Sequence, residues 1–361
     1  MKIINFKQNY LVIELTNNCM LNCTHCIQQF NNHKHFKKKG FIKKGLIDEL
    51  IKDIKDNHMR FDALVLFWLG EPLLHPKFNE IYGNILQENK KHNLFNKIEV
   101  HTNGYLINEE IISTIFKYKD IVQRWHFSLD AATKETYKKI KNRDYYEDVI
   151  KNVKNLVRKK SEKKSKYIQL VFQFIIEQKN HKEAKVFSEY WKNYLKSLKI
   201  HCEIYGYFVP NLNKSCVFFR QLDCLRKEEQ EEANKLYEET LKEIKIASPP
   251  LLNTIQHRLK SKKASVCSGM WKSPTIRWDG KVTVCTNDCE LRLEVGDLNK
   301  NSLSKIWWDN KDLKIMRKDM LNRDYSKNRL CKNCEIPKSQ NYTGISTEEI
   351  DQYLKLVKAY G

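Results

Sequence analysis

Along residues 10 to about 210, short apolar runs alternate with longer stretches in which apolar residues return every third or fourth position. The runs 10–16 (YLVIELT), 63–70 (ALVLFWLG), 97–103 (KIEVHTN), 124–130 (RWHFSLD), 167–177 (YIQLVFQFIIE) and 202–209 (CEIYGYFV) read as strands. The stretches 43–58, 76–92, 108–117, 144–160 and 182–198 read as amphipathic helices. Six strand-then-helix repeats, with crossovers long enough for parallel pairing, predict a parallel α/β sheet, open or curled. We read it as a partial (β/α)6 TIM-type barrel over 1–210. Residues 211–265 read as a helical connector or insertion, in which Ala233, Leu236, Tyr237, Leu241 and Ile244 share one helical face before Ser248-Pro249-Pro250 ends it. From 266 to 345, short strands and turns around WDGKVTVC and VGDLN, with a helix at 302–321, predict a small α+β domain. A last helix, 346–361, opens at the capping box Ser346-x-x-Glu349.

Parity within the strands sorts the side chains. In 124–130, Trp125, Phe127 and Leu129 share one face, and His126, Ser128 and Asp130 the other. The helix-covered outside must be apolar, so the polar set faces the lumen. The same parity turns Glu99, His101 and Asn103 inward from the third strand, Gln169, Gln173 and Glu177 from the fifth, and Glu14 and Thr16 from the first. A barrel packed only for stability fills its interior with branched aliphatics. This lumen is expected to be polar, and buried polar groups need partners.

Composition changes the picture in three ways. The longest apolar run, Ala63 to Leu69, is seven residues, against the roughly 20 that span a bilayer. The N-terminus lacks the apolar stretch and cleavage site of a signal peptide, so a soluble, cytoplasmic protein with no membrane partner is expected. The net charge is +21; Lys-rich solvated helix faces such as RKKSEKKSK (158–166) account for most of it, which leaves RNA or another anionic partner as the minor reading. Eleven cysteines without an export signal argue for metal or redox chemistry rather than a disulfide framework.

Cys19-x3-Cys23-x2-Cys26 follows directly on the first strand, where a parallel barrel builds its active site. Three close thiolates can hold three corners of an iron-sulfur cube and leave the fourth iron open, whereas a structural zinc uses four ligands. A partial zinc site or three free thiols is the plain alternative. After the motif come LGEPLLHP, HTNG (101–104) and SLDAATKETYKKIK (128–141), one at each successive strand end. Together these segments resemble the radical S-adenosylmethionine (SAM) superfamily. The resemblance implies a 4Fe-4S cluster on Cys19, Cys23 and Cys26 whose open iron chelates SAM. It places Gly70, Glu71 and Pro72 at the methionine amino group, with Leu69 where a glycine is usual. It places Asn103, Ser128 and Asp130 at the cofactor, the last two at its ribose or carboxylate, and His25 near the adenine. It further implies SAM cleavage to methionine and a 5'-deoxyadenosyl radical, with the electron supplied by a donor such as flavodoxin or ferredoxin.

Cys267-x12-Gly280-x4-Cys285, followed by Cys331-x2-Cys334, resembles the SPASM auxiliary-cluster domain, in its shortened form called twitch. That implies a second 4Fe-4S cluster closed by Cys267, Cys285, Cys331 and Cys334, and makes the C-terminal α+β unit an iron-sulfur cluster domain. A zinc ribbon on the same four is the alternative, and Cys289 is a rival ligand. Cys202, Cys216 and Cys224 read as buried or incidental thiols. A lumen lined by Glu14, Glu99, His101, His126 and Gln173 suits a hydroxylated or amino-bearing small-molecule substrate better than an aliphatic one. A thiolate-closed second cluster suits removal of the electron left on a substrate radical. The expectation is therefore dehydrogenation of a carbohydrate-like alcohol, with Glu14, His101 or His126 as proton acceptor, in an architecture similar to a cyclitol dehydrogenase of the superfamily that carries no peptide-recognition domain. Peptide modification, RNA modification and a non-catalytic zinc protein are the alternatives.

Overall fold

The computed structural model describes residues 8–30, 34–206, 214–223, 227–246, 266–322, 324–332, 334 and 351. Five strands pair parallel in chain order: β1 (Gln8–Ile13), β2 (Phe61–Leu66), β3 (Ile98–Thr102), β4 (Gln123–Ser128) and β5 (Ile168–Ile176). Helices α1 (Lys44–Asp56), α2 (Phe78–His92), α3 (Glu109–Lys117), α4 (Lys134–Lys141) and α5 (Tyr146–Glu162) cross between them, and α6 (Ala184–Ser197) follows β5. Local chemistry sets the helix starts: the Asn108 side chain accepts from the Ile111 N–H at 2.9 Å, and Thr133 from the Thr136 N–H at 3.3 Å. Helix α4 has few apolar positions among its lysines, of which Tyr137 and Ile140 are buried.

Strand parity holds as expected. Trp125 and Phe127 are fully buried on the helix side, where Tyr82 of α2 meets Trp125 edge-on at 5.6 Å. Each such ring contributes on the order of 2–3 kcal/mol by leaving water. On the opposite face His101 and His126, paired across β3 and β4, stack at 4.0 Å.

The sixth strand differs from expectation. Residues Ser215–Gln221, placed by the sequence in the connector, form β7, which pairs parallel with β5; Cys202–Tyr205 (β6) lies outside it. The reason is packing. Cys216, Val217 and Phe219 are fully buried, and Phe219 reaches Phe174 at 5.5 Å, a larger apolar match to β5 than CEIY offers. Helix α7 (Lys227–Glu243) covers this edge with buried Ala233, Tyr237 and Leu241, and Tyr237 donates to the Phe219 carbonyl at 3.1 Å. The stripe is thus a packing face. Cys224, residues 247–265 and the helix expected at 346–361, apart from Asp351, lie outside the described residues.

At the other edge the C-terminal unit joins the sheet. Strand β8 (Thr275–Ile276) pairs parallel with β1, and β9 (Lys281–Thr283) and β10 (Glu294–Asp297) add antiparallel, giving ten strands in the order β10-β9-β8-β1-β2-β3-β4-β5-β7-β6. Gly280 makes the β8–β9 turn at φ +88°, a value that a side chain would resist. The single helix expected at 302–321 is two, α8 (Leu303–Asp309) and α9 (Lys311–Leu321). Asn310 breaks it: its backbone is extended, and its side chain accepts from the Leu313 N–H and donates to the Val295 carbonyl.

Candidate active site

The loop carrying Cys19, Cys23 and Cys26 leaves β1 and is clamped from three sides. Thr16 donates to the Gly40 carbonyl at 2.5 Å, and the Gly40 N–H donates to the Asn17 side chain at 3.1 Å. From the β2 end, the Glu71 N–H donates to the Asn18 carbonyl at 2.8 Å. Gly70 packs so closely there that a Cβ would stand 2.1 Å from the Thr16 carbonyl oxygen. From α4, the Lys141 and Ile140 carbonyls accept the N–H groups of Asn22 (3.1 Å) and Thr24 (2.9 Å).

Glu71 ties this loop to β3. Its carboxylate accepts from the Thr102 hydroxyl and the Asn103 N–H, both at 2.8 Å, and from the Leu73 N–H at 3.1 Å, while Pro72 begins a short 3-10 turn. Burial raises the Glu71 carboxyl to about 7 against the pull of those donors. The Asn103 side chain accepts from the Tyr105 N–H and donates to the Met20 sulfur. The expected cofactor residues Gly70, Glu71, Pro72 and Asn103 are therefore together, and the Gly70 and Glu71 backbone and the Asn103 amide brace the cysteine loop.

Asp130 has a different setting from the one the sequence implied. It is fully buried at φ +60°, paired with the ammonium of Lys141, and it accepts from the Ile175 N–H at 2.7 Å. The carboxylate is occupied by protein partners rather than turned to an open ligand, because only an ion pair makes burying both charges tolerable. Ser128 accepts from Gln173 at 3.2 Å, and His25 Nδ1 lies 3.1 Å from Glu177 Oε1. Burial pushes the Cys19 thiol up to about 12, the Glu71 charge adding to the shift, and raises Cys23 and Cys26 as well, with Lys141 pulling Cys23 back down. Such thiols bind metal only by giving up protons.

In the C-terminal unit, Cys331 lies within electrostatic reach of Cys267, Cys285 and Cys334, and Cys285 within reach of Cys267 and Cys334; burial pushes both Cys285 and Cys331 up to about 12. Cys289 faces Asp288, Glu14 and Cys285 instead. Among the described residues no three cysteine sulfurs gather within 4.8 Å. Thiolates grouped in this way are the donor type that an iron-sulfur cluster takes. Cys202 and Cys216 are buried, as expected.

Glu14, read as a lumen group, joins the two parts of the chain. Its carboxylate accepts from the Leu69 and Trp278 N–H groups, each at 3.3 Å, and burial raises it to about 7. Trp68 adds a second tie by donating to the Thr286 carbonyl at 2.8 Å.

Deeper in the lumen, Glu99 gathers charge. Its Oε1 meets Lys97 Nζ at 2.6 Å and Arg124 Nη1 at 3.2 Å, and its Oε2 faces His101 Nε2 at 3.3 Å and His126 Nε2 at 3.7 Å. Burial opposes ionisation of Glu99, but the His101 hydrogen bond and the surrounding positive charges outweigh it and hold the carboxyl well below the usual range. Arg124 also donates to Gln169 at 2.5 Å. Burial, reinforced by His101, keeps His126 neutral far below its ordinary value. Sequence reasoning passed over Lys97, Arg124 and Lys141. Arg124 shares the parity of His126 and could have been found from it, whereas nothing distinguishes Lys141 from its neighbouring lysines.

With this geometry in place, the comparisons decide the family. Residues 13–175 match the Radical SAM superfamily and 267–335 match SPASM, an iron-sulfur cluster-binding domain. The chain belongs to the radical SAM superfamily. It is a radical SAM enzyme with a C-terminal SPASM iron-sulfur domain. Its fold is similar to anSMEcpe with bound AdoMet (TM-score 0.57, 14% identity, covering 98% of this chain and 94% of that one). It is also similar to Streptococcus suis SuiB bound to S-adenosylmethionine (TM-score 0.54, 14% identity, 93% and 76%). BtrN in complex with AdoMet and 2-DOIA aligns at TM-score 0.49 with 14% identity over 94% and 95%. An uncharacterized protein of Methanocaldococcus jannaschii is 26% identical over 196 residues, 54% of this chain and 57% of that protein, so the match spans little more than half of that relative's length. Among the described residues no helix of this radical SAM enzyme is long and apolar enough to cross a membrane.

Proposed function

We propose that this radical SAM enzyme removes two electrons from a hydroxyl-bearing carbon of a carbohydrate-like small molecule. In this reading Cys19, Cys23 and Cys26 hold the SAM-binding 4Fe-4S cluster, and Cys267, Cys285, Cys331 and Cys334 close a second. Bound SAM supplies a 5'-deoxyadenosyl radical, which takes a hydrogen atom from the substrate. The chain's own residues do the rest. Glu71 fixes the cysteine loop, His25 and Ser128 flank the cofactor, and the ionic floor beneath orients the substrate. The four-thiolate set suits an electron acceptor, because a closed cluster leaves no iron for substrate.

The observation that carries the reading is the lumen floor of Glu99, His101, Arg124 and His126, with Gln169 and Gln173 beside it. Hydroxyl groups satisfy such a surface, and an aliphatic chain would leave it unsolvated. The proton released from the substrate hydroxyl goes to His101, the partly exposed ring of the group, because Glu99 and His126 resist protonation and both Glu14 oxygens already accept backbone N–H groups. The test supplies cluster-loaded enzyme, SAM and reductant with sugars, cyclitols and peptides, each deuterated at candidate carbons. Deuterium in 5'-deoxyadenosine from a sugar or cyclitol, with a carbonyl product, is expected. Label from peptides alone would replace this reading with peptide modification, the reading suggested by anSMEcpe and SuiB, whose structures include peptide complexes.

A further inference from the structure

We propose that Glu99, His101 and His126 form a binding site for one divalent transition-metal ion, zinc or ferrous iron, on the floor of the lumen, with an open position for an anionic oxygen ligand. One ligand atom from each residue lies within 4.8 Å of the others. Glu99 Oε2 stands 3.3 Å from His101 Nε2 and 3.7 Å from His126 Nε2. An ion at about 2.0–2.2 Å from each donor asks for separations of about 3.2–3.5 Å; because the two rings stack at 4.0 Å and 21°, one of them turns about its Cβ–Cγ bond so that both nitrogens point at the ion.

A second, independent observation points the same way. His126 is 5% exposed, yet neither ring nitrogen has a hydrogen-bond partner among the described residues. A buried imidazole in that state costs free energy unless something absent from the protein atoms satisfies it. The fold aims it deliberately. His101 and His126 are direct partners across β3 and β4, Glu99 sits two residues below His101 on the same face, and Phe67 stacks on His101 at 5.0 Å. Lys97 and Arg124 hold Glu99 by Oε1 and leave Oε2 to the rings, an arrangement in which outer groups orient a ligand.

The donor set selects the ion. Two imidazoles and one carboxylate suit zinc or ferrous iron, whereas calcium and magnesium prefer oxygen alone. Three protein ligands leave a fourth position free, as in catalytic rather than structural sites. Glu99 already faces two cations, so a bound divalent ion leaves the floor positive, and the free position draws a negatively charged oxygen: hydroxide, an alkoxide or a substrate carboxylate. This deepens the proposed function, on which it rests only for the identity of that oxygen donor. With metal present, the histidines act as ligands, and the substrate hydroxyl replaces a metal-bound hydroxide and binds as its alkoxide, its proton leaving with that hydroxide as water in place of passing to a ring nitrogen.

The test needs neither SAM nor substrate. Enzyme with its clusters assembled is incubated anaerobically with zinc, gel-filtered and analysed for zinc and iron per chain, beside His101→Phe, which retains a ring against Phe67, and His126→Leu. At matched iron content the wild type should retain about one more zinc per chain than either variant. Cobalt(II) in place of zinc should give ligand-field absorption that both variants lose. Equal zinc in all three proteins, or unchanged cobalt absorption, would overturn the site while leaving the label-transfer test of function standing. Zinc held by vacant cysteines cancels in the comparison.

Discussion

Asp130 and Lys141 show how a single pair can govern a site from behind. Both are buried and paired with each other, and Lys141 also carries the carbonyl that accepts the Asn22 N–H of the cysteine loop. Breaking such a pair from one side is costly because the remaining charge is stranded. Lys141→Met should lower the unfolding free energy by about 3–5 kcal/mol. The double variant with Asp130→Asn, whose side chain tolerates the left-handed backbone there, should recover much of that loss. Denaturant titration of the three proteins measures both, and a single-variant cost under about 1 kcal/mol would show that the pair is solvated instead.

Elements meet at the cysteine loop with almost no spare volume. The ends of β2 and β3 are locked together by Glu71, and the β2 end touches the loop through Gly70. The obstacle to a larger residue at 70 is main chain on two sides, Thr16 and Asn18 oxygens at 2.1 and 2.7 Å from a Cβ, so no side-chain rotation relieves it. Gly70→Ala should displace the loop, lower the melting temperature, and reduce iron bound by Cys19, Cys23 and Cys26 while sparing the C-terminal cysteines. Iron analysis in a Cys331→Ser, Cys334→Ser background reads that loss directly. Unchanged iron there would mean that the loop position matters less than its cysteines.

Across the whole molecule the sheet runs unbroken from the barrel into the SPASM domain, and Glu14 latches the junction. Because burial raises its carboxyl to about 7 from its ordinary 4.5, the folded protein holds this proton more tightly than the unfolded chain. Its contribution to stability is therefore greatest below the unfolded value, declines as pH climbs between about 4.5 and about 7, and is constant above. Glu14→Gln should flatten part of that decline; Glu71, raised for the same reason, keeps the remainder. Melting temperatures measured from about pH 5 to about pH 8 check this, and parallel curves for wild type and variant would contradict it.

The chain order of the strands through β5 and the parity of the lumen can be read along the sequence alone, since period, spacing and turn residues are local properties. The same local pattern misplaces the last barrel strand because β7 is chosen by its fit to β5, and it runs α8 into α9 because a helical period does not reveal a capping asparagine. Only the tertiary structure gave Asp130 to Lys141, made Glu14 a latch, and brought Glu99, His101 and His126 around one point. Those outcomes depend on distances between residues remote in the chain, where burial makes each charge seek the nearest partner the packing allows.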